Sequence, residues 1–202
     1  MSALLEIDEL RRELREKFPA AHRPAPLPEE PHAASNLIFE RGSINEVVSS
    51  QPNQGMALFI SELLSQKCDL PLALVDGRDS FDPGSHGNLK CRQLFWIRCR
   101  EISQAIQCSD LLLRDGNLPL VLLDLHLTPA RELKRLPMST WHRLRNQARE
   151  SGTTLLALTP QPLLPSVKQR LTLTGNFSLD HLELHPPRLQ FQEKSLAQRA
   201  AL

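Results

Sequence analysis

Short apolar runs alternate along the chain with segments whose apolar residues recur every three or four positions. Runs that are apolar nearly throughout predict strands buried on both faces, and the longer spacing predicts amphipathic helices between them. Strands are expected at 44–48, 71–75, 94–97, 118–123 and 154–158. Helices are expected at 56–66, around 102–113 and from about Ser139, with Trp141, Leu144 and Ala148 facing inward. This alternation predicts an α/β fold, a mostly parallel sheet sandwiched by helices.

The two ends of the chain have different patterns. Residues 169–192 read as short alternating strands split by two prolines, which predicts an antiparallel C-terminal edge of the sheet. Before the core, residues 1–18 carry apolar side chains at spacings of three and four, which predicts an amphipathic N-terminal helix. The prolines of residues 19–35 predict an extended linker. The core is therefore expected at 36–192, followed by a tail at 193–202.

Composition and charge exclude several classes of function. The 202 residues suffice for one sizeable domain, and a formal net charge of +1 gives no bulk attraction to nucleic acid or to a membrane. No apolar run is long enough to span a membrane, and the charged N-terminus does not resemble a secretory signal. The four cysteines lack C-x-x-C spacing, which favours reduced thiols in a cytoplasmic protein over a zinc site.

In an open parallel sheet, ligands bind beyond the carboxyl ends of the strands, so the residues that follow each strand form the candidate site. Residues 46–66 have the order of strand, polar loop and helix, which resembles a P-loop. A working P-loop needs glycines for close backbone approach, a lysine for the terminal phosphates and a hydroxyl for magnesium. On that pattern Ser49 and Gln54 replace two glycines. Gly55 replaces the lysine, and Met56 replaces the magnesium ligand.

Two further strand ends resemble those of RecA-type ATPases. Residues 74–83 resemble the RecA segment whose glutamate activates water, but Arg78 stands at that position and stays protonated. Residues 120–124 resemble a Walker B strand and keep its aspartate, Asp124, without a magnesium ligand at Met56. No catalytic residue, cofactor or metal is therefore expected. The other loop aspartates are expected to cap helices or form turns rather than bind a metal: Asp76, Asp79 and Asp82.

The order and spacing of these segments resemble the shortened RecA-like proteins called inducible mutagenesis protein A (ImuA), and sequences described as SulA-like. The resemblance covers roughly residues 36–173. It is carried by Val-Asp-x-x-Asp-x-Phe-Asp-Pro at 75–83, Leu-Leu-Leu-Arg-Asp-Gly-Asn at 111–117, Val-Leu-Leu-Asp-Leu at 121–125 and Trp-His-Arg-Leu-Arg at 141–145. It implies a role in SOS-type mutagenic translesion synthesis, beside an ImuB-type polymerase-like protein and an error-prone replicative polymerase.

Two surfaces are candidates for contacts with partners. Leu10, Leu14 and Phe18 form the apolar stripe of the N-terminal helix, which either folds back on the core or docks on an ImuB-type or RecA-type partner. The basic residues of the chain concentrate at Arg131, Lys134, Arg135, Arg143, Arg145 and Arg149. They form either a solvated helix face or a surface for phosphate backbones. With no tyrosine and 4% aromatic residues, base stacking is poorly supported and intrinsic DNA binding is expected to be weak.

Three classes of function follow in order of preference. The first is a non-catalytic RecA-like scaffold in DNA-damage tolerance that acts through protein contacts. The second, from the SulA-like resemblance, is an inhibitor of the tubulin-like cell-division GTPase. The third is a residual nucleotide-binding protein or weak ATPase, which the lost lysine and magnesium ligand disfavour.

Overall fold

The computed structural model describes residues 9, 12–13, 16–17, 37–178 and 188–195. Within these ranges the chain forms strands β1 (Ile44–Val48), β2 (Leu72–Asp76), β3 (Leu94–Arg98), β4 (Leu120–Asp124), β5 (Thr154–Thr159), β6 (Gln169–Leu173) and β7 (Phe191–Ser195). The helices are α1 (Met56–Gln66), α2 (Pro83–His86), α3 (Ile102–Asp115), α4 (Ala130–Leu133) and α5 (Met138–Ser151), with a 3₁₀ turn at Pro52–Gln54.

The described strands form one sheet in the order β3-β2-β4-β5-β1-β6-β7. Every neighbouring pair is parallel except β6 with β7, which is antiparallel. The predicted α/β class with a mostly parallel sheet and an antiparallel C-terminal edge is therefore confirmed. The antiparallel pairing begins one strand later than residues 169–192 suggested, because β6 joins β1 in parallel. Strand β7 runs from Phe191 to Ser195, so the sheet extends three residues into the predicted tail at 193–202.

Each central strand buries both of its faces, which explains why it is apolar nearly throughout. In β4, Val121 and Leu123 belong to the core under α3 and α5, whereas Leu120 and Leu122 belong to the core under α1. Trp141, Leu144 and Ala148 of α5 are all buried in the first of these cores. The sheet thus has helices on both faces, and its carboxyl edge is left for the loops that follow the strands.

A buried ion pair lies between β1 and β6. Glu46 is fully buried, and its Oε2 lies 2.5 Å from Nε of Arg170. Its other oxygen, Oε1, accepts hydrogen bonds from Thr159 Oγ1 (3.0 Å), Leu163 N (2.7 Å) and Leu164 N (3.3 Å). The guanidinium of Arg170 also donates to the carbonyl of Leu164 at 2.7 Å. One carboxylate therefore fastens the segment between β5 and β6 to the centre of the sheet.

The described residues of the N-terminal segment are helical and exposed: Glu9, Arg12, Glu13, Glu16 and Lys17. They include the ion pairs Arg12–Glu9 and Lys17–Glu13, at 2.5 and 3.3 Å, which are spaced to stabilise a helix. The apolar stripe Leu10, Leu14 and Phe18 and the linker at 19–35 lie outside the described residues. Where the structure is described, it contains no helix of the length and apolar character that crossing a membrane requires.

Candidate functional site

The loop after β1 has the strand, loop and helix order of a P-loop but a different interior. The chain leaves β1 at Val48, makes the 3₁₀ turn, and enters α1 through Gly55, whose φ of 94° is in the left-handed region. Met56, at the magnesium-ligand position, is buried in the apolar core beneath α1. No hydroxyl or carboxylate therefore stands where this loop would hold a cation.

The side chain of Gln54 folds back onto the first residues of this loop. Its Oε1 accepts hydrogen bonds from the backbone N–H of Ser50 (2.7 Å) and of Gln51 (3.2 Å), and from Oγ of Ser50 (3.3 Å). In a working P-loop, backbone N–H groups of this kind wrap the phosphate oxygens. Here the loop's own amide oxygen satisfies them, so an incoming phosphate would have to displace it.

An aromatic ring covers the same loop from the segment that follows β6. A Cβ placed on Gly55 would lie 2.8 Å from the ring of Phe177, and a Cβ on Gly175 would lie 2.6 Å from it. The backbone N–H of Phe177 donates to Asn53 O at 3.0 Å, and Asn53 Nδ2 donates to Asn176 Oδ1 at 2.6 Å. A lysine at position 55 would meet both this ring and an unfavourable φ. Phe177 thus covers the lysine position, and Gln54 takes the hydrogen bonds of two loop N–H groups.

Replacing Gln54 by alanine should expose the loop amides and convert them into an anion site. We expect a loss of about 1 kcal/mol in the free energy of unfolding, because the amides keep access to water. Added inorganic phosphate should then raise the melting temperature of the variant but not that of the wild type. Differential scanning fluorimetry over a phosphate series measures both effects.

Gln104→Ala is the matched control for this experiment. It removes a glutamine oxygen from one backbone N–H, that of Arg100 at 3.0 Å, at the start of α3. It should be slightly less stable than the wild type and should not respond to phosphate. Equal phosphate stabilisation of the wild type and of Gln54→Ala would contradict a loop filled by its own glutamine.

The second strand end is organised by Asp76. This residue is fully buried and accepts hydrogen bonds from backbone N–H groups of Ser80 (3.0 Å) and Phe81 (2.9 Å), and from Trp96 Nε1 (3.2 Å). The loop that it holds presents Arg78, which forms a half-buried ion pair with Glu132 of α4. Where a RecA-type ATPase has a general base, this site therefore has a guanidinium whose charge is already paired.

The remaining loop aspartates are also engaged. Asp79 pairs with Arg98, and this hydrogen-bonded contact lowers the pKa of Asp79 below its ordinary value. Asp82 caps the short helix α2, and the hydrogen bond from Ser85 Oγ at 2.6 Å is the main cause of its lowered pKa. Within the described parts of the chain, no group of three or more His, Cys, Asp and Glu side chains is arranged to hold a metal ion.

Asp124 ends β4 directly beside Asp76 in the strand register. It is 2% exposed, and its Oδ1 lies 2.6 Å from His126 Nδ1 and accepts the backbone N–H of His126 at 3.1 Å. Its Oδ2 is buried, and none of the described residues donates a hydrogen bond to it. The structure therefore brings the second and third strand ends together, with the start of α1 beside them at a small pocket.

The predicted basic surface is divided in the structure. Arg143 is half-exposed, and its Nε lies 2.9 Å from Asp110 Oδ1 of α3, a charge contact too poorly directed to count as a hydrogen bond. Arg145 lies roughly 200° from Arg143 around α5, two residues further along the helix. The exposed members of the set are Arg131, Lys134, Arg135, Arg143 and Arg149. Arg143 and Arg145 therefore lie on different sides of α5.

Sequence reasoning missed three parts of this region. The signal for Glu46 was present, because a carboxylate inside a buried strand needs a partner, but Arg170 was not identifiable as that partner. Gln54 was noted only as a replaced glycine, although a long amide in a tight turn is suited to capping N–H groups. Phe177 gave no signal, since its contact with the loop depends on how the segment after β6 folds back.

Comparison with known proteins supports the fold. Neither a protein-family model nor a curated protein sequence matches the chain. Among solved structures, the crystal structure of the RadB recombinase is similar, with a TM-score of 0.50 and 15% sequence identity. The alignment covers 66% of this chain and 75% of that one. The predicted RecA-like fold is therefore confirmed, and at this identity the similarity concerns the fold alone.

Proposed function

We propose that this protein is a non-catalytic, ImuA-like accessory protein that acts through protein contacts in SOS-type DNA-damage tolerance and mutagenic translesion synthesis. The observation that carries the proposal is the altered P-loop-like segment. There, Gln54 Oε1 accepts hydrogen bonds from the loop N–H groups of Ser50 and Gln51, and the ring of Phe177 covers Gly55. These contacts are made by side chains of the protein itself. A RecA-like frame that has replaced its nucleotide contacts by internal ones is suited to serve as a rigid scaffold.

Catalysis of phosphoryl transfer depends almost entirely on positioning and charge neutralisation. The position of the lysine, that of the magnesium ligand and that of the general base are held by Gly55, by a buried Met56 and by an ion-paired Arg78. Each of the three replacements removes a charge or a ligand that the reaction needs. This supports a role without turnover and without a bound nucleotide.

The segment after β5 also argues for protein contacts rather than for a DNA-gripping role. In RecA-type proteins a long mobile loop follows the corresponding strand and grips single-stranded DNA. Here the short stretch 160–168 is fastened to the sheet by Glu46, through the N–H groups of Leu163 and Leu164. Together with the divided basic surface, this supports only weak or indirect contact with DNA.

We propose that the N-terminal helix makes the contact with the partner. A direct binding measurement tests this proposal. The full-length chain should bind a purified ImuB-type polymerase-like protein or RecA, and Leu10→Asp/Leu14→Asp should weaken that binding at least about tenfold by placing charges in an apolar contact. Surface plasmon resonance with each immobilised partner measures the change.

Arg12→Gln/Lys17→Gln is the matched control, since both residues are exposed and belong to the same helix. It should bind as the wild type does apart from a modest salt dependence. Undiminished binding of the Leu10/Leu14 variant would remove the helix from the contact. Binding to the tubulin-like division GTPase instead of either partner would favour the SulA-like alternative, and a melting temperature raised by Mg-ATP would favour residual nucleotide binding.

A further inference from the structure

A small pocket of about 170 Å³ opens at the carboxyl edge of the sheet, between the start of α1 and the ends of β2 and β4. Its lining includes four apolar side chains, those of Ala57, Ile60, Phe81 and Leu127. Asp124 and His126 also line the pocket, together with Asp82, which is exposed. Its volume is well below that of a site for a drug-sized ligand, so it fits a short, slender group.

The buried carboxylate in this pocket lacks a partner on one side. Asp124 is 2% exposed, its Oδ1 contacts His126, and its Oδ2 receives no hydrogen bond from the described residues. An unsatisfied buried acceptor is costly, and more so on an ionisable carboxyl group. Asp124 lines the pocket, so a hydrogen-bond donor bound there would lie next to this carboxyl group.

The charges around the pocket select a cation. The lining includes the carboxyl groups of Asp82 and Asp124, and no lysine or arginine is among the described residues that form it. Burial lowers the pKa of His86, which also lines the pocket and stacks on Phe81 at 4.9 Å, so its ring is neutral near pH 7. The described residues hold no side-chain group suited to a metal ion, which leaves an organic cation.

The hydrogen-bond pattern selects an ammonium over a guanidinium. A guanidinium binds a carboxylate best through two free oxygens, and Asp124 offers only Oδ2. We propose that this pocket binds a primary ammonium group on a slender aliphatic stem, held by Asp124 Oδ2.

The probe for this site is n-butylammonium chloride, titrated into the full-length protein at constant ionic strength and followed by NMR. Saturable shifts of the amide signals of His126 and Leu127 are expected with butylammonium. They should be absent with n-butanol, which has the same stem without the charge, and weaker with butylguanidinium. Asp124→Asn should lower the affinity for butylammonium about tenfold or more, since it removes the charge that faces the ammonium.

A second variant keeps the test independent of Asp124. Ala57 is exposed at the start of α1 and lines the pocket, so Ala57→Phe should fill it and abolish the shifts, whereas Ala57→Ser should not. Non-saturable shifts, equal responses to butylammonium and butanol, or unchanged affinity in Asp124→Asn and Ala57→Phe would each overturn the proposal.

The source of the ammonium is distinguished by comparing the probe with a lysine blocked at both ends, Nα-acetyl-lysine methylamide. If the natural ligand is a lysine side chain of another protein, the blocked lysine should bind at least as tightly as butylammonium, because its backbone stays outside the pocket. Weaker binding of the blocked lysine indicates a free small amine. Both results support an ammonium site, and this holds whether or not the proposed role in translesion synthesis is correct.

Discussion

Replacing Glu46 by leucine is expected to destabilise the protein by about 3–5 kcal/mol, because it leaves the partner of a buried ion pair without its counter-charge. Arg170 has a side chain only 19% exposed and would lose the carboxylate 2.5 Å from its Nε. The Thr159 hydroxyl and two backbone N–H groups would lose their acceptor at the same time. Urea denaturation followed by tryptophan fluorescence measures the change in the free energy of unfolding.

The double variant Glu46→Leu/Arg170→Leu separates the cost of an unpaired charge from the cost of lost packing. Its loss in the free energy of unfolding should be smaller than the sum of the two single-variant losses, by more than about 1 kcal/mol. The reason is that neither charge remains buried alone. Additive losses would show that the pair contributes little beyond its separate contacts.

The exposed pair Glu40–Lys168 provides the control for this cycle. Its atoms lie 2.7 Å apart, its side chains are 61% and 45% exposed, and it links the residues just before β1 and β6. Glu40→Gln should therefore change stability by less than about 1 kcal/mol. A loss as large as that of Glu46→Leu would point to a general sensitivity of this strand pair rather than to the buried charge.

The fold was predictable because burial on both faces leaves a periodic trace in the sequence. The run Leu120 to Leu123 is apolar because alternate residues enter different cores, and that run predicted β4 without any knowledge of its neighbours. The pairing of β6 was less predictable, since no local pattern distinguishes a parallel from an antiparallel neighbour at the edge of a sheet. Strand β7 runs to Ser195 because its length is set by pairing with β6, where Ser195 is the partner of Gln169, and not by a local residue pattern.

The sequence predicts which functional groups of a P-loop are missing from the candidate site, but not which side chains take their place. Reading Gly55 and Met56 against a P-loop identifies missing functional groups, because these depend on residue type at fixed spacing. What replaced them depends on contacts between residues far apart in the chain, such as Asn53 with Asn176. The missing hydrogen-bond donor at Asp124 Oδ2 is likewise a result of tertiary packing, because it depends on how the neighbouring side chains are placed.

The second large effect is expected at Asp76, where even the isosteric change Asp76→Asn should destabilise the protein by about 2–4 kcal/mol. Both carboxylate oxygens accept hydrogen bonds there: Oδ1 from Ser80 N, and Oδ2 from Phe81 N and Trp96 Nε1. An amide NH₂ in place of either oxygen would turn a donor toward donors in a fully buried site. Urea denaturation gives the loss, and the fluorescence of Trp96 in the folded variant reports whether its indole N–H has lost its partner.

Asp124→Asn is the internal comparison, because Asp124 is aligned with Asp76 on the neighbouring strand. Its Oδ2 has no donor among the described residues, so an amide NH₂ at that position meets no opposing N–H there while Oδ1 still accepts from His126. Asp76→Asn should therefore be at least about 1.5 kcal/mol more destabilising than Asp124→Asn. Equal losses would mean that a donor reaches Asp124 Oδ2 in the folded protein, which would remove the basis for an ammonium site in the pocket. The same comparison thus tests the buried loop network and the proposed ligand site together, with two aspartates that differ mainly in whether their hydrogen bonds are filled.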